Sequence, residues 1–425
     1  MRQITVGLDF GTHQSKVCVE KIEGTECEYS FIKFENEYHK EFYALPSIIN
    51  VGEDGLLTYG LLPKRTTGRL IRYFKQAAFR TNTIPGLSQT NAMFFSCWYL
   101  AYILFDLEKL YGQDFAIQMG APSDSGHLHE TQQIAVRILV SAYHLVEDEF
   151  KNDKEAFLAT DMRTLVEKTK ILPYSDELKN EYNILVFPEA YACLKPLTSR
   201  GKIANGMNLM VDIGGGTTDI SFFTIEKDEK SKVTIPQVYD FFSIDKGLNF
   251  LTDATSNSEK KDLDSNVKSE SEIIHERYIE FFNAIRKECQ GLLKRLSIEF
   301  HRQSSLSNSV LNDALKNRPI IYSGGGSTFQ SLRDKYEGFS EIMHISDKQW
   351  DAQSVRDIDE ICKLGLCPIL STAYGLSIHA KDDNIACKPF ADIFEGIRQT
   401  KQINYISPHD DTHYRSAYED WDALK

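Results

Sequence analysis

One octapeptide constrains this chain more than any other: Asp212-Ile-Gly-Gly-Gly-Thr-Thr-Asp219, set between an apolar run at 207–213 and a second at 220–225. Three consecutive glycines lose much backbone freedom on folding. A chain keeps them where its backbone must approach something closely. Both flanking runs read as strands. A strand after the glycines argues against a Rossmann dinucleotide turn and a Walker P-loop, which both lead into a helix. No GxxxxGK[ST] segment occurs anywhere.

Two further turns have related logic. Asp9-Phe-Gly-Thr12 ends a segment that is apolar at 4, 6, 8 and 10, and 15–19 resumes as a strand, so the pair predicts a hairpin. Such a turn gathers backbone N–H groups around a concavity that suits an anion. Asp9, at the strand end, is placed to hold a hydrated cation. Ser323-Gly-Gly-Gly-Ser327 follows a strand at 319–322 and is expected to open a helix. There the glycines let a flat ring lie on the backbone, and the helix start favours negative charge.

The rest of the chain supplies scaffold. Helical spacing predicts helices over 91–111, 129–150 and 270–299, and short apolar runs predict strands over 115–120 and 184–187. With 425 residues, 42% of them hydrophobic, the chain can bury a large core and divide into two lobes. We divide it at 1–190 and 191–380, with a polar insertion over 252–272 and a tail over 381–425. The net charge of -13 repels nucleic-acid backbone and anionic lipid, so neither is the expected partner. No run of ~18 apolar residues is present to span a membrane. The eight cysteines form no CxxC pair and read as reduced thiols. With no leader-like start, the expected address is cytoplasmic.

The order of the three turns, 200 and then 110 or so residues apart, resembles the actin, sugar kinase and heat-shock ATPase superfamily. The likeness is greatest to the nucleotide-binding half of the 70-kDa heat-shock chaperones. Asp9-Phe-Gly-Thr12 is similar to their first phosphate motif, Asp212 to Asp219 to the second, and Gly325-Gly-Ser-Thr328 to their adenosine motif. Pro188-Glu-Ala-Tyr-Ala192 and Ala373-Tyr-Gly375 resemble the two connecting helices, and Pro122 the proline that relays nucleotide state. The resemblance implies an α/β actin-like ATPase fold: two ribonuclease-H-like lobes with a nucleotide cleft between them.

It also implies a site. ATP or ADP would lie on Gly11, Thr12, His13, Lys16, Gly214, Gly215, Gly216, Thr217, Gly325, Gly326 and Ser327, with Lys294 and Phe329 at the nucleoside. Asp9 and Asp212 would hold Mg2+ through water. Glu189, Asp212 and Thr217 would orient the attacking water. The chain departs from the chaperone pattern in five places, one of them an extra charged stretch over about 151–182. His13 replaces a threonine. Gly68 stands before Arg69-Leu70, where the chaperones have their catalytic lysine; Lys16, where actins carry a phosphate-contacting lysine, supplies the charge instead. Phe329 takes the place of the arginine that stacks on adenine. No substrate-binding domain follows Gly375. The 381–425 tail, apolar at 390, 393, 394 and 397, is expected to dock, on a protein partner or on the chain itself. The implied function is an ATP-hydrolysing switch acting through a partner protein. The alternative is a self-assembling, filament-forming bacterial actin. A small-molecule kinase lacks a candidate substrate-activating Asp.

Overall fold

The computed structural model describes residues 2–394 except 37–38, 61–67, 80–83, 123–125, 199–202, 204–205, 228–233, 252–269, 305–307, 317, 337, 351–352 and 386. Most of the polar insertion, and the tail positions from Ile397 onward, therefore lie outside the described residues.

The turn over 10–13 folds the first apolar segment back on itself. Strand β1 (Arg2–Asp9) pairs antiparallel with β2 (Gln14–Glu23), and β2 with β3 (Glu26–Phe31). β4 (Ala116–Ala121) then joins β1 in parallel, and β5 (Ile184–Pro188) joins β4. The order is β5-β4-β1-β2-β3, with Leu45–Pro46 as an added partner of β2. A separate three-stranded sheet (Ile49–Val51, Leu57–Tyr59, Arg69–Ile71) leads into α1 (Phe74–Phe79).

The crossovers are helical. α2 (Gln89–Tyr111) begins where Ser88 accepts a bond from the Asn91 N–H and ends at Gly112, whose N–H returns to the Glu108 carbonyl. These caps satisfy end groups that water would otherwise hold. α3 (Leu128–His144) runs into a π-helical turn over Leu145–Glu149. The charged 151–182 stretch forms three short helices, α4 (Lys154–Leu158), α5 (Met162–Lys168) and α6 (Asp176–Glu181). Two of them start at aspartate caps, Asp153 and Asp161.

The second half repeats the first sheet. β6 (Gly206–Ile213), β7 (Thr218–Lys227) and β8 (Thr234–Ile244) form an antiparallel meander, and β9 (Pro319–Ser323) and β10 (Glu341–His344) add in parallel. The order, β8-β7-β6-β9-β10, mirrors that of the first sheet: a meander at one side and parallel strands at the other. Every residue of β6 is buried, as in a central strand covered on both faces. α9 (Glu270–Gln303) covers one face with Phe281, Ile285, Leu292, Leu296 and Phe300. α10 (Asn308–Leu315) follows it. The duplicated meander-plus-parallel topology, with helices joining the two halves, is the actin-like ATPase fold.

Two connections cross between the lobes. α7 (Glu189–Ala192) and α8 (Lys195–Thr198) leave the first sheet. α11 (Ile358–Lys363) and α12 (Cys367–Ser377) come back from the second. α12 packs on β1 and β2 as well as on α7. The lack of a side chain on Gly375 makes this crossing possible: a Cβ there would sit 1.8 Å from the Ala192 carbonyl oxygen. A shared core of Leu194, Leu197, Met210, Phe223, Trp350 and Tyr374 surrounds the crossing.

Of the two expectations for the tail, the described part, up to Phe394, meets docking on the chain itself. Residues Phe390–Phe394 form a 3-10 turn, with Ile393 and Phe394 buried in the second-lobe core. Phe394 lies 5.3 Å from the ring of Phe300, and Phe390 stacks at 6.3 Å on Tyr239. These side chains are satisfied by the chain's own body and are not displayed for a partner. Among the described residues, no helix is long and apolar enough to cross a membrane.

Candidate functional site

The repeated hairpins bring the two glycine turns face to face. A Cβ on Gly215 would meet the Cβ of His13 at 2.4 Å, and one on Gly216 would meet the Thr12 side chain at 2.6 Å. The glycines are thus required by a close approach of two backbones from different lobes. The turns are braced from behind. Ser47 donates from its N–H to the His13 carbonyl at 2.9 Å and from its hydroxyl to that of Gly11 at 2.5 Å. Leu248 and Asn249 donate their N–H groups to the carbonyls of Gly214 and Gly215 at 3.0 and 2.7 Å.

Beneath the turns opens a cleft of about 200 Å3. Four carboxylates (Asp9, Glu189, Asp212, Asp219) and two ammonium groups (Lys16, Lys75) face it. Lys16 donates to Asp9 Oδ2 at 2.8 Å. Burial pulls this lysine's proton affinity down, but the Asp9 carboxylate more than offsets that and holds it above the ordinary value. Lys75 is buried and donates to Glu189 Oε1. Burial raises the proton affinity of Glu189 despite the opposing charge of Lys75. Next to Lys75, Gln76 reaches across to the Gly216 carbonyl at 3.1 Å.

Asp212 lies at the junction of the lobes. Its Oδ2 accepts from the Cys193 thiol at 2.9 Å and from the Thr372 hydroxyl at 3.4 Å, so both connecting segments hold it. Its Oδ1 is buried with no hydrogen-bond partner. Burial pushes its carboxyl up to about 6. Asp219 accepts from the Thr217 hydroxyl at 3.2 Å, and burial, then the Glu189 and Asp212 charges, raise it well above the carboxylate range.

The structure brings Asp9, Gly11, Thr12, His13, Lys16, Glu189, Asp212, Gly214, Gly215, Gly216, Thr217 and Gly325 around this one cleft. Others of the implied set stand elsewhere. Gly326 and Ser327 are buried behind the loop; Ser327 turns its hydroxyl back to the Gly324 carbonyl at 2.7 Å. Phe329 is 54% exposed beyond it. Lys294 is exposed on α9. On α9, Arg277 and Glu280 bond the Phe250 carbonyl and Lys246, which flank the cleft-lining Leu248 and Asn249 in the chain. The distance between residues 280 and 294 along a helix is about 21 Å.

Two expectations change. The Gly-rich third turn does not open an α-helix but two 3-10 turns, Gly325–Thr328 and Gln330–Leu332. Ser327 and Thr328 bond the Gly324 and Gly325 carbonyls with their hydroxyls, which competes with helix propagation. The cleft also does not depend on Lys16 alone for positive charge. Lys75, seven residues beyond Gly68, enters it from α1. The visible signal was a Lys-Gln pair inside the otherwise apolar Phe74–Phe79, both members of which the fold buries.

An excess of carboxylates over ammonium groups, together with an unpaired Asp212 oxygen, suits a divalent cation better than a bare anion. Among the described residues no group of three or more metal-ligating side chains converges directly.

No family model matches the chain, and no curated protein matches it. Among solved structures it is similar to MreB 5 of Spiroplasma citri bound to AMPPNP and to the same protein bound to ADP. In each case the identity is 13%, the match covers 95% of this chain and 99% of that chain, and the TM-score is 0.40.

Proposed function

We propose that the chain binds ATP in the cleft between its lobes and hydrolyses the terminal phosphate, leaving ADP. One observation carries this reading: two glycine turns from separate lobes pack against each other over a buried carboxylate, Asp212, one of whose oxygens has no partner. The turns leave backbone accessible to phosphate. Lys16 and Lys75 counter phosphate charge. Glu189, held by Lys75 and with its proton affinity raised by burial, accepts a proton from the attacking water. Thr217 and Asp212 orient that water, so catalysis is chiefly positioning. Bound Mg2+ would supply neutralisation of the phosphates, with Asp9 and Asp212 holding its water shell.

Because the site is made of both halves, nucleotide occupancy alters how far apart they lie. We read that closure as serving assembly of copies of this chain into a filament. The observation that favours this is Lys16, fixed on Asp9 at the base of the first turn, the position of the actin lysine. A switch acting on a protein partner is the other output of the same motion. The test is single-turnover ATP hydrolysis with Mg2+ and with chelator, and light scattering across protein concentrations. Mg2+-dependent turnover is expected, with scattering that rises above a critical concentration. No turnover and no nucleotide binding would overturn the reading. Turnover without scattering would move the output to a partner.

A further inference from the structure

The turn between α11 and α12 holds two cysteines that the cleft does not use. Cys362, partly exposed, is in the last turn of α11; Cys367, buried, is the first residue of α12. Their sulfurs are 3.9 Å apart. A disulfide needs ~2.0 Å, so each sulfur has about 1 Å to travel. The residues between them make a tight reversal, with the Gly365 N–H on the Cys362 carbonyl and the Leu366 N–H on that of Ile361, both at 3.0 Å.

The first turn of α12 carries Cys367 at one end and the cleft wall at the other. The carbonyl of Pro368 accepts the Gly324 N–H at 3.0 Å and the Ser323 hydroxyl at 3.2 Å. Gly324 lines the cleft, as do Ile369 and Thr372 on the next turn of α12. Thr372 also bonds Asp212. A constraint on the first turn of α12 is therefore felt on one wall of the site.

We propose that Cys362 and Cys367 form a reversible disulfide that fixes the first turn of α12 and, through Pro368, the Gly324 wall of the cleft. The sulfur pairing stands independently of the nucleotide reading; its effect on affinity rests on that reading. The oxidant is a small-molecule disulfide of the glutathione class. Cys362, the more exposed thiol, gives up its proton to solvent and attacks one glutathione sulfur. One glutathione leaves as thiolate and takes up a proton. Cys367 then attacks the Cys362 sulfur, losing its own proton, and releases the second glutathione. The protein dithiol and glutathione disulfide thus become the protein disulfide and two glutathione thiols. Burial pushes the Cys367 thiol up to about 12 and raises that of Cys362. Thiolate is scarce near neutrality, so exchange is slow and quickens in base.

The test uses the full chain in glutathione buffers of graded redox ratio, followed by thiol alkylation and trypsin. Lys363 lies between the two cysteines, so cleavage yields peptides 357–363 and 364–381. We expect them alkylated and separate from reduced protein, and joined from oxidised protein in proportion to the buffer ratio. Separate peptides at the most oxidising ratio, or cysteines capped by glutathione without a link, would overturn the pairing. Amide exchange over 323–329 tests the coupling. It should slow several-fold on oxidation in the native chain and not in Cys362→Ser; equal exchange in both redox forms would overturn it. A fluorescent ATP analogue reports the consequence as a several-fold change in affinity. If neither form binds the analogue, the nucleotide reading fails, while the linked peptide and the exchange rates still decide this one.

Discussion

Substituting Gly215→Ala tests whether the facing turns form the reactive geometry. The added Cβ would lie 2.4 Å from the Cβ of His13, with Asn249 Oδ1 at 3.6 Å. Non-bonded carbons rest at about 3.6 Å, so the two turns must part by about 1 Å. His13 cannot swing its own Cβ away, because that atom is fixed by backbone braced on Ser47. A misplacement of ~1 Å at a positioned site lowers turnover on the order of 10²-fold, or about 2.7 kcal/mol in the barrier. The assay is single-turnover hydrolysis of Mg-ATP by four proteins: native, Gly215→Ala, His13→Gly and the double variant. Removing the His13 side chain vacates the space the alanine needs. The effect of Gly215→Ala measured in the His13→Gly background should shrink to a few-fold. Native turnover in Gly215→Ala, or the same loss in both backgrounds, would refute the argument that turn separation governs the site.

Asp212→Asn should lower turnover on the order of 10²-fold while ATP affinity changes only a few-fold, as a charge needed in the transition state predicts. It also has a pH signature. Burial holds the folded carboxyl at about 6, above the unfolded value near 3.9. Its contribution to stability is therefore fully present below ~4 and lost as pH rises through ~6. The amide should raise the melting temperature at about pH 8, by the equivalent of roughly 2–3 kcal/mol, and give no gain near pH 4; an equal gain at both would count against the buried charge. Lys75→Met strands the Glu189 carboxylate, so stability should fall by about 3–5 kcal/mol, and Glu189→Gln in the same chain should recover most of it in a denaturant titration. Phe394→Ala, at a fully buried ring, should lose about 3–5 kcal/mol. Calorimetry reads this as a lower melting temperature, while affinity for ATP stays native.

The parts of this fold that repeat were the parts legible in the sequence. Apolar alternation marked β1 and β2, and the continuous apolar run marked β6, because each strand keeps a constant relation to its core. β8 was harder to see, since it carries Pro236 and its pairing with β7 shifts register between Phe222 and Phe223. The glycine turns were readable because close backbone contact tolerates few other residues. Lys75 was not: its place in the cleft depends on how α1 is carried in from the preceding strands, which no local spacing records. Cys193 and Thr372 were also hidden. They lie 19 and 160 residues from the aspartate they bond, and only the crossing of α7 and α12 unites them. The apolar residues at 390, 393 and 394 identified a face to be buried, but not the surface that would bury it.

The seat of Gly375 on the Ala192 carbonyl has a mechanical consequence. Helices that touch through side chains slide as rotamers adjust, but two backbones in contact leave no such cushion. α7 and α12 therefore have little room to slide along this contact. Thr12 and Gly216 follow β1 and β6, strands of the two sheets that this crossing joins. The separation of the two glycine turns therefore rests on a crossing that resists sliding.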